Sequence, residues 1–256
     1  MGLEFSSPFL FLGLRFLLGS LLLLLFIKMR KHPIQWHLVK KTLPIGIFLY
    51  IGMQLQTIGL KYTSASKSAF ITALCVVFVP MLVIFIEKRM PRLASIMGVC
   101  LATAGIYFLT GPESGTWNRG DTFTLIGAIS FAFEIVWIEM VVKEGEAESI
   151  AFFTVLYTAV FALAGSVLFE RTFFHPVPAV FLSIGFVALF CTALGFQMQM
   201  HWQPRTTATA AGVIYTTEPV FGALFAMLLL HERLSIKAWM GAGLILSGML
   251  VAELRK

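Results

Sequence analysis

Charge is scarce in this chain of 256 residues: 12% are Asp, Glu, Lys or Arg, while 58% are hydrophobic. A soluble domain carries about twice that charge fraction, so an ordinary water-soluble fold is excluded. A mean hydropathy of +0.88 places most of the chain in lipid. Aspartate is nearly absent. Asp121 is the only one, read as a loop residue, which excludes a membrane aspartyl protease with two catalytic Asp. The three cysteines, Cys75, Cys100 and Cys191, fall inside apolar runs, as small core residues do, and form neither a disulfide frame nor a metal site. Walker, His-Glu-x-x-His, Cys-x-x-Cys and Gly-x-Ser-x-Gly patterns are missing. No enzyme activity, metal or cofactor is expected. The net charge of +6 is dispersed, which argues against a nucleic-acid partner.

What the chain does have is a series of apolar runs. Nine are long enough to cross a bilayer: 8–27, 42–61, 68–87, 93–109, 123–142, 150–168, 177–200, 208–230 and 236–252. They are too long and too uniformly apolar for barrel strands, and lipid admits only helices or closed barrels. The expected fold is an all-α polytopic bundle. The first run lacks a basic leader and a small-residue cleavage site, so it reads as a retained span rather than a signal peptide.

Alternating the connections across the membrane separates the basic residues. One side collects Lys28, Arg30, Lys31, Lys40, Lys41, Lys88, Arg89, Arg92, Lys143, Arg205, Arg255 and Lys256. The other collects Lys61, Lys67, Arg119, Arg171, Arg233 and Lys237. The positive-inside rule puts the richer side, and the C-terminus, in the cytoplasm. Nine spans then leave Met1 outside, which suggests that one span is missing from the front.

The chain also repeats itself. Gly52-Met53-Gln54-Leu55-Gln56 matches Gly195-Phe196-Gln197-Met198-Gln199. The same offset holds further on. Thr63-Ser64-Ala65-Ser66 meets Thr206-Thr207-Ala208-Thr209, Val77-Phe78 meets Val220-Phe221, and Gly98 and Gly105 meet Gly241 and Gly248. The expected organisation is a first repeat over 1–110, four spans long, and a second over 120–256, five spans long. Units of five spans would lie in opposite orientations, as in many secondary transporters.

These residues resemble the EamA-like domain of the drug/metabolite transporter superfamily. The resemblance rests on Glu218-Pro219-Val220-Phe221, His231-Glu232-Arg233-Leu234 and the closing glycine-rich run Gly241–Gly248 in the second copy. In the first copy it rests on Leu14-Arg15-Phe16-Leu17, Val77-Phe78-Val79-Pro80 and Gly120-Asp121 before Phe123. It implies ten helices in two inverted halves and transport of small organic solutes, often by export. The family's first span has no counterpart here.

Several polar residues fall within the runs. Glu218 lies about mid-membrane, where a charge costs at least about 3 kcal/mol, and it reads as a path carboxylate or as a kink anchor. Pro219 removes a helix hydrogen bond and is expected to act as a hinge or gate. Glu134 shares a helical face with Gly127 and Ser130, with Trp137 next along it, the composition of a lined cavity or of an interhelical clamp. Gln54 and Gln197 are counterparts of one another, and with Tyr215 they complete the expected solute path. Arg15 reads as a structural ion-pair partner, and Lys67 as a snorkelling edge residue. Gly98, Gly105, Gly241 and Gly248 are expected to serve helix packing.

The expected function is a secondary transporter, an exporter of a small metabolite such as an amino acid. It would work by alternating access in the cytoplasmic membrane, with protons as the candidate coupling ion and the bilayer and the solute as partners. The alternative is a truncated paralogue that does not transport and acts as a partner or sensor.

Overall fold

The computed structural model describes residues 6–110, 117–143, 145–230 and 235–253. The His231–Leu234 signature and the charges Arg255 and Lys256 lie outside them. The regular secondary structure of the described residues is all helical, apart from one isolated antiparallel bridge between Ser6 and Phe174. Its helices are apolar on all sides, as expected of segments that face lipid on one side and protein on the other.

Seven of them are long and apolar enough to span a membrane, and Ile236–Ala252 is a shorter apolar helix. The chain is therefore a polytopic α-helical membrane protein. The run at 208–230 is not one helix but two, α10 (Ala208–Tyr215) and α11 (Glu218–Leu230). The third span is interrupted too. It divides at Leu74 into α3 (Ala65–Ala73) and α4 (Cys75–Leu82), then runs on as a π-helical turn, Val83–Glu87.

The chain forms two compact units, each built from two segments that are separate in the sequence. The first comprises Met1–Thr57 and Trp137–Arg205. Its framework is α1 (Pro8–Met29) packed against α7 (Ala147–Phe169). Pro8 opens α1, where its missing N–H costs nothing. The Glu170 carboxylate then accepts from the backbone N–H groups of Leu10 (3.1 Å) and Phe9 (3.4 Å). An acidic group at a helix N-terminus satisfies orphan donors and complements the dipole. Side-chain matching is tight along the pair: a Cβ at Gly13 would lie 2.6 Å from Leu163, and one at Gly165 would lie 2.5 Å from Phe9. This unit also holds most of α2 (Val39–Gly59), and α8 (Pro178–Phe186) and α9 (Gly195–Trp202), which are joined by a π-helical stretch, Val187–Leu194.

The second unit comprises Ile58–Val136 and Thr206–Lys256. Its framework is α5 (Leu93–Thr110) packed against α12 (Ile236–Glu253). A Cβ at Gly98 would lie 2.7 Å from the Gly248 carbonyl oxygen, and one at Gly105 equally close to that of Gly241. The two helices therefore run antiparallel with backbones in contact, which only glycine permits. Around them, α10 fits against α4 and against α6 (Arg119–Val141), whose Ala128, Ala132 and Ile135 meet Cys75, Val79, Ala208 and Ala211 in one core.

Two edge residues depart from the sequence reading. Asp121 is not in a loop but in the first turn of α6, and it is fully buried. Lys67 does not snorkel: its Nζ lies 2.6 Å from Asp121 Oδ2, with a side chain only 14% exposed. Thr63 Oγ1 donates to the other carboxylate oxygen (2.7 Å), and the Asn118 N–H donates to Oδ2 (2.8 Å). Glycine makes this corner possible, because Gly59 and Gly120 meet through their backbones.

Candidate functional site

The polar residues that the sequence singles out divide between the units: Gln54, Trp137 and Gln197 belong to the first, and Glu134, Tyr215, Glu218 and Pro219 to the second.

In the first unit the common feature is hydrogen bonds left unmade. Gln54, late in α2, is 4% exposed, and neither its Oε1 nor its Nε2 has a partner among the described residues. The Trp137 Nε1 of α6 and the Gln197 Oε1 of α9 are likewise buried and unpartnered. Each such group costs about 1–3 kcal/mol. The four of them, on three helices, amount to a set of waiting donors and acceptors. In the same unit Arg15 donates from Nε to Thr192 Oγ1 (2.9 Å), and Thr192 in turn donates to the Val187 carbonyl within the π-helical stretch (3.1 Å).

In the second unit the carboxylates dominate. Glu134 is 4% exposed, two-thirds of the way along α6. Ser130, one turn earlier on the same face, is also buried and spends its hydroxyl on the Ile126 carbonyl. Glu218 begins α11 and is exposed. Pro219 follows it, at a position where a helix start tolerates proline. It therefore stands at the start of a new helix rather than kinking a continuous one. The break before it is made by Thr216 and Thr217, whose hydroxyls turn back to the Val213 and Ile214 carbonyls (2.6 and 2.7 Å).

One residue that the sequence reading left in the core belongs here. Cys75, the first residue of α4, is buried in the cluster that also takes in Ala132 and Ile135 of α6 and packs against Tyr215. The available clue was its position, since the repeat pairs Cys75 with Glu218. Among the described residues no group of three or more His, Cys, Asp or Glu is placed to hold a metal.

The four packing glycines occupy the closest approaches of α5 and α12, as described above. With these features in place, the comparisons with known proteins decide the family. A family model described as the EamA-like transporter family matches residues 1–111 and 118–253. The chain belongs to the EamA-like transporter family. An uncharacterized transporter of Archaeoglobus fulgidus is 33% identical over all of this chain and 80% of its own length. YedA of Escherichia coli, described as an uncharacterized inner membrane transporter, is 26% identical over all of this chain and 85% of its own. YoaV of Bacillus subtilis, an uncharacterized transporter, is 25% identical over 97% of this chain and 88% of its own. A solved crystal structure superposes with a TM-score of 0.79 at 20% identity, over 96% of this chain and 87% of the other. That likeness concerns the fold. This EamA-like chain is thus a membrane transporter by family, not an enzyme.

Proposed function

We propose that the chain is a secondary exporter of a small polar metabolite, such as an amino acid, working by alternating access across the cytoplasmic membrane. Gln54, Glu134, Trp137, Gln197, Tyr215 and Glu218 would line its path, with Pro219 at a gate and protons as the coupling ion. The observation that carries this reading is the buried, unpartnered amide of Gln54, together with the unpartnered Gln197 Oε1 at its repeat position. A protein that only needed to pack these helices gains nothing from them, whereas a solute or water could satisfy them.

The repeat is the second support. Helices α5 and α12 begin and end at matching repeat positions, and α3 and α10 begin at matching positions, as do α4 and α11. Ser64 caps α3 by accepting from the Lys67 N–H, and Thr207 caps α10 by accepting from the Ala210 N–H, again in the same register. The Gly98–Gly248 and Gly105–Gly241 contacts exchange with each other under the same operation. Such reciprocity is what a two-fold axis between inverted copies produces. Both copies break one helix in mid-span, which frees backbone groups where a transporter site needs them.

The symmetry is incomplete at one place. In the first copy the face of α4 bearing Cys75 and Val79 is covered by α6. The matching face of α11 bears Glu218 and Gly222, both exposed, and a Cβ at Gly222 would meet open space. A further span with small residues like those of α6 would fit there and would bring the total to ten. The basic residues support a cytoplasmic C-terminus.

The test is uptake or efflux by proteoliposomes of Glu134→Gln and Glu218→Gln. Both variants should remain monodisperse and lose transport. Wild-type rates in both would remove these residues from the path.

A further inference from the structure

Outside the polar path, the second unit carries a groove of about 600 Å³ along α3, α4 and α5, lined by Phe70, Val77, Val99, Thr103, Ala104 and Tyr107. That volume lies within the range of small-ligand sites, but the lining is almost wholly apolar. Thr103, its main polar member, spends its hydroxyl on the Val99 carbonyl (2.7 Å). The groove is open on the surface of two membrane-length segments. Tyr107 is 57% exposed, and Cys100, which also borders the groove, is exposed as a free thiol.

Its length and position select an occupant. From Val99 to Phe108, the last lining residue, α5 rises about 13.5 Å. Half the hydrocarbon core is about 15 Å. Phe108 lies two residues from the end of α5 at Thr110, so the groove runs from one membrane edge to the bilayer middle. At that edge α3 and α6 begin. Tyr62 and Trp117, each 58% exposed, precede them, and Lys61 and Arg119 are exposed beside them. Amphipathic rings with flanking cations are what headgroups meet at an interface. The inner end of the groove lies at the break in the third span, since Phe70 and Val77 stand on either side of Leu74.

We propose that one acyl chain of a phospholipid, from the leaflet at the C-terminal end of α5, resides in this groove. The chain packs against both sides of the Leu74 break, while its headgroup stays among Tyr62, Trp117 and the adjacent cations. The lipid is a seated partner of the transporter, distinct from its solute.

The test is native mass spectrometry of the full chain, stripped in detergent and supplied with dioleoylphosphatidylglycerol. One lipid should be retained per chain. Ala104→Phe fills the groove and should weaken retention several-fold, because the acyl chain loses its packing contacts there. Ser247→Phe, at the repeat position of Ala104 and exposed on α12, should retain the lipid as the wild type does, which controls for added bulk. A benzophenone on Cys100, in a Cys191→Ser background, should photolink to the lipid. Equal retention in Ala104→Phe, absence of any retained lipid in the wild type, or a photolink to a second copy of the chain would each overturn the proposal.

Discussion

At the scale of single residues, the chain separates polar groups that are satisfied from polar groups that are not. Asp121 is buried with Lys67, Thr63 and Asn118 all directed at its carboxylate. Removing one partner of such a pair strands the other charge. Lys67→Met should therefore lower stability by about 3–5 kcal/mol, whereas Lys67→Met combined with Asp121→Leu should recover most of the loss. A double-mutant cycle of thermal unfolding in detergent checks this. Gln54 predicts the opposite sign. Its amide has no partner among the described residues, so Gln54→Leu should leave stability unchanged or raise it by about 1 kcal/mol while abolishing transport in proteoliposomes. The sequence marked Gln54 and Gln197 through their repeated pentapeptide. It misplaced Asp121 and Lys67, because a single Asp after a glycine reads equally well as a loop or as a first helical turn. The decisive partner, Lys67, lies 54 residues away.

At the scale of helices, the apolar runs were legible because lipid demands length and continuity. The breaks were not legible. Leu74 carries no sequence mark, and the break at Thr216–Thr217 hid behind Pro219, which attracts the eye as a kink. The π-helical stretches at Val83–Glu87 and Val187–Leu194 are equally silent in sequence, since both are uniformly apolar apart from Glu87 and Thr192. The four glycines, by contrast, were legible as packing residues, and the α5–α12 contact that they make is testable as an element. Gly105→Val and Gly248→Val should each push the helices apart and destabilise the protein by about 2–4 kcal/mol, since overpacking here meets backbone rather than a movable side chain. Gly243→Val, on the same helix but with nothing within 4 Å of its Cβ, should be near neutral. Comparing the three unfolding midpoints in one detergent measures the contact.

At the scale of the molecule, each unit combines a segment of the first copy with a segment of the second, so the boundary of the repeat and the boundary of the packing do not coincide. That is the expected consequence of exchanging equivalent helices about a two-fold axis. The constant register between the copies conveyed the internal relationship. It could not show that α1 joins α7 or that α5 joins α12, because either helix could satisfy its apolar surface against any neighbour. The carboxylates carry the asymmetry. Glu218 in one copy stands at the position that Cys75 holds in the other, at matching helix starts, and Glu134 is buried in α6. A carrier that uses these groups should lose solute movement when they cannot ionise. The measurement that tests this account most directly loads proteoliposomes with an amino-acid mixture and follows release by mass spectrometry, comparing wild type with the Glu134→Gln/Glu218→Gln double variant. The account predicts selective release by the wild type and none above empty liposomes by the variant. Release by the variant at the wild-type rate, or no release by the wild type, would contradict it.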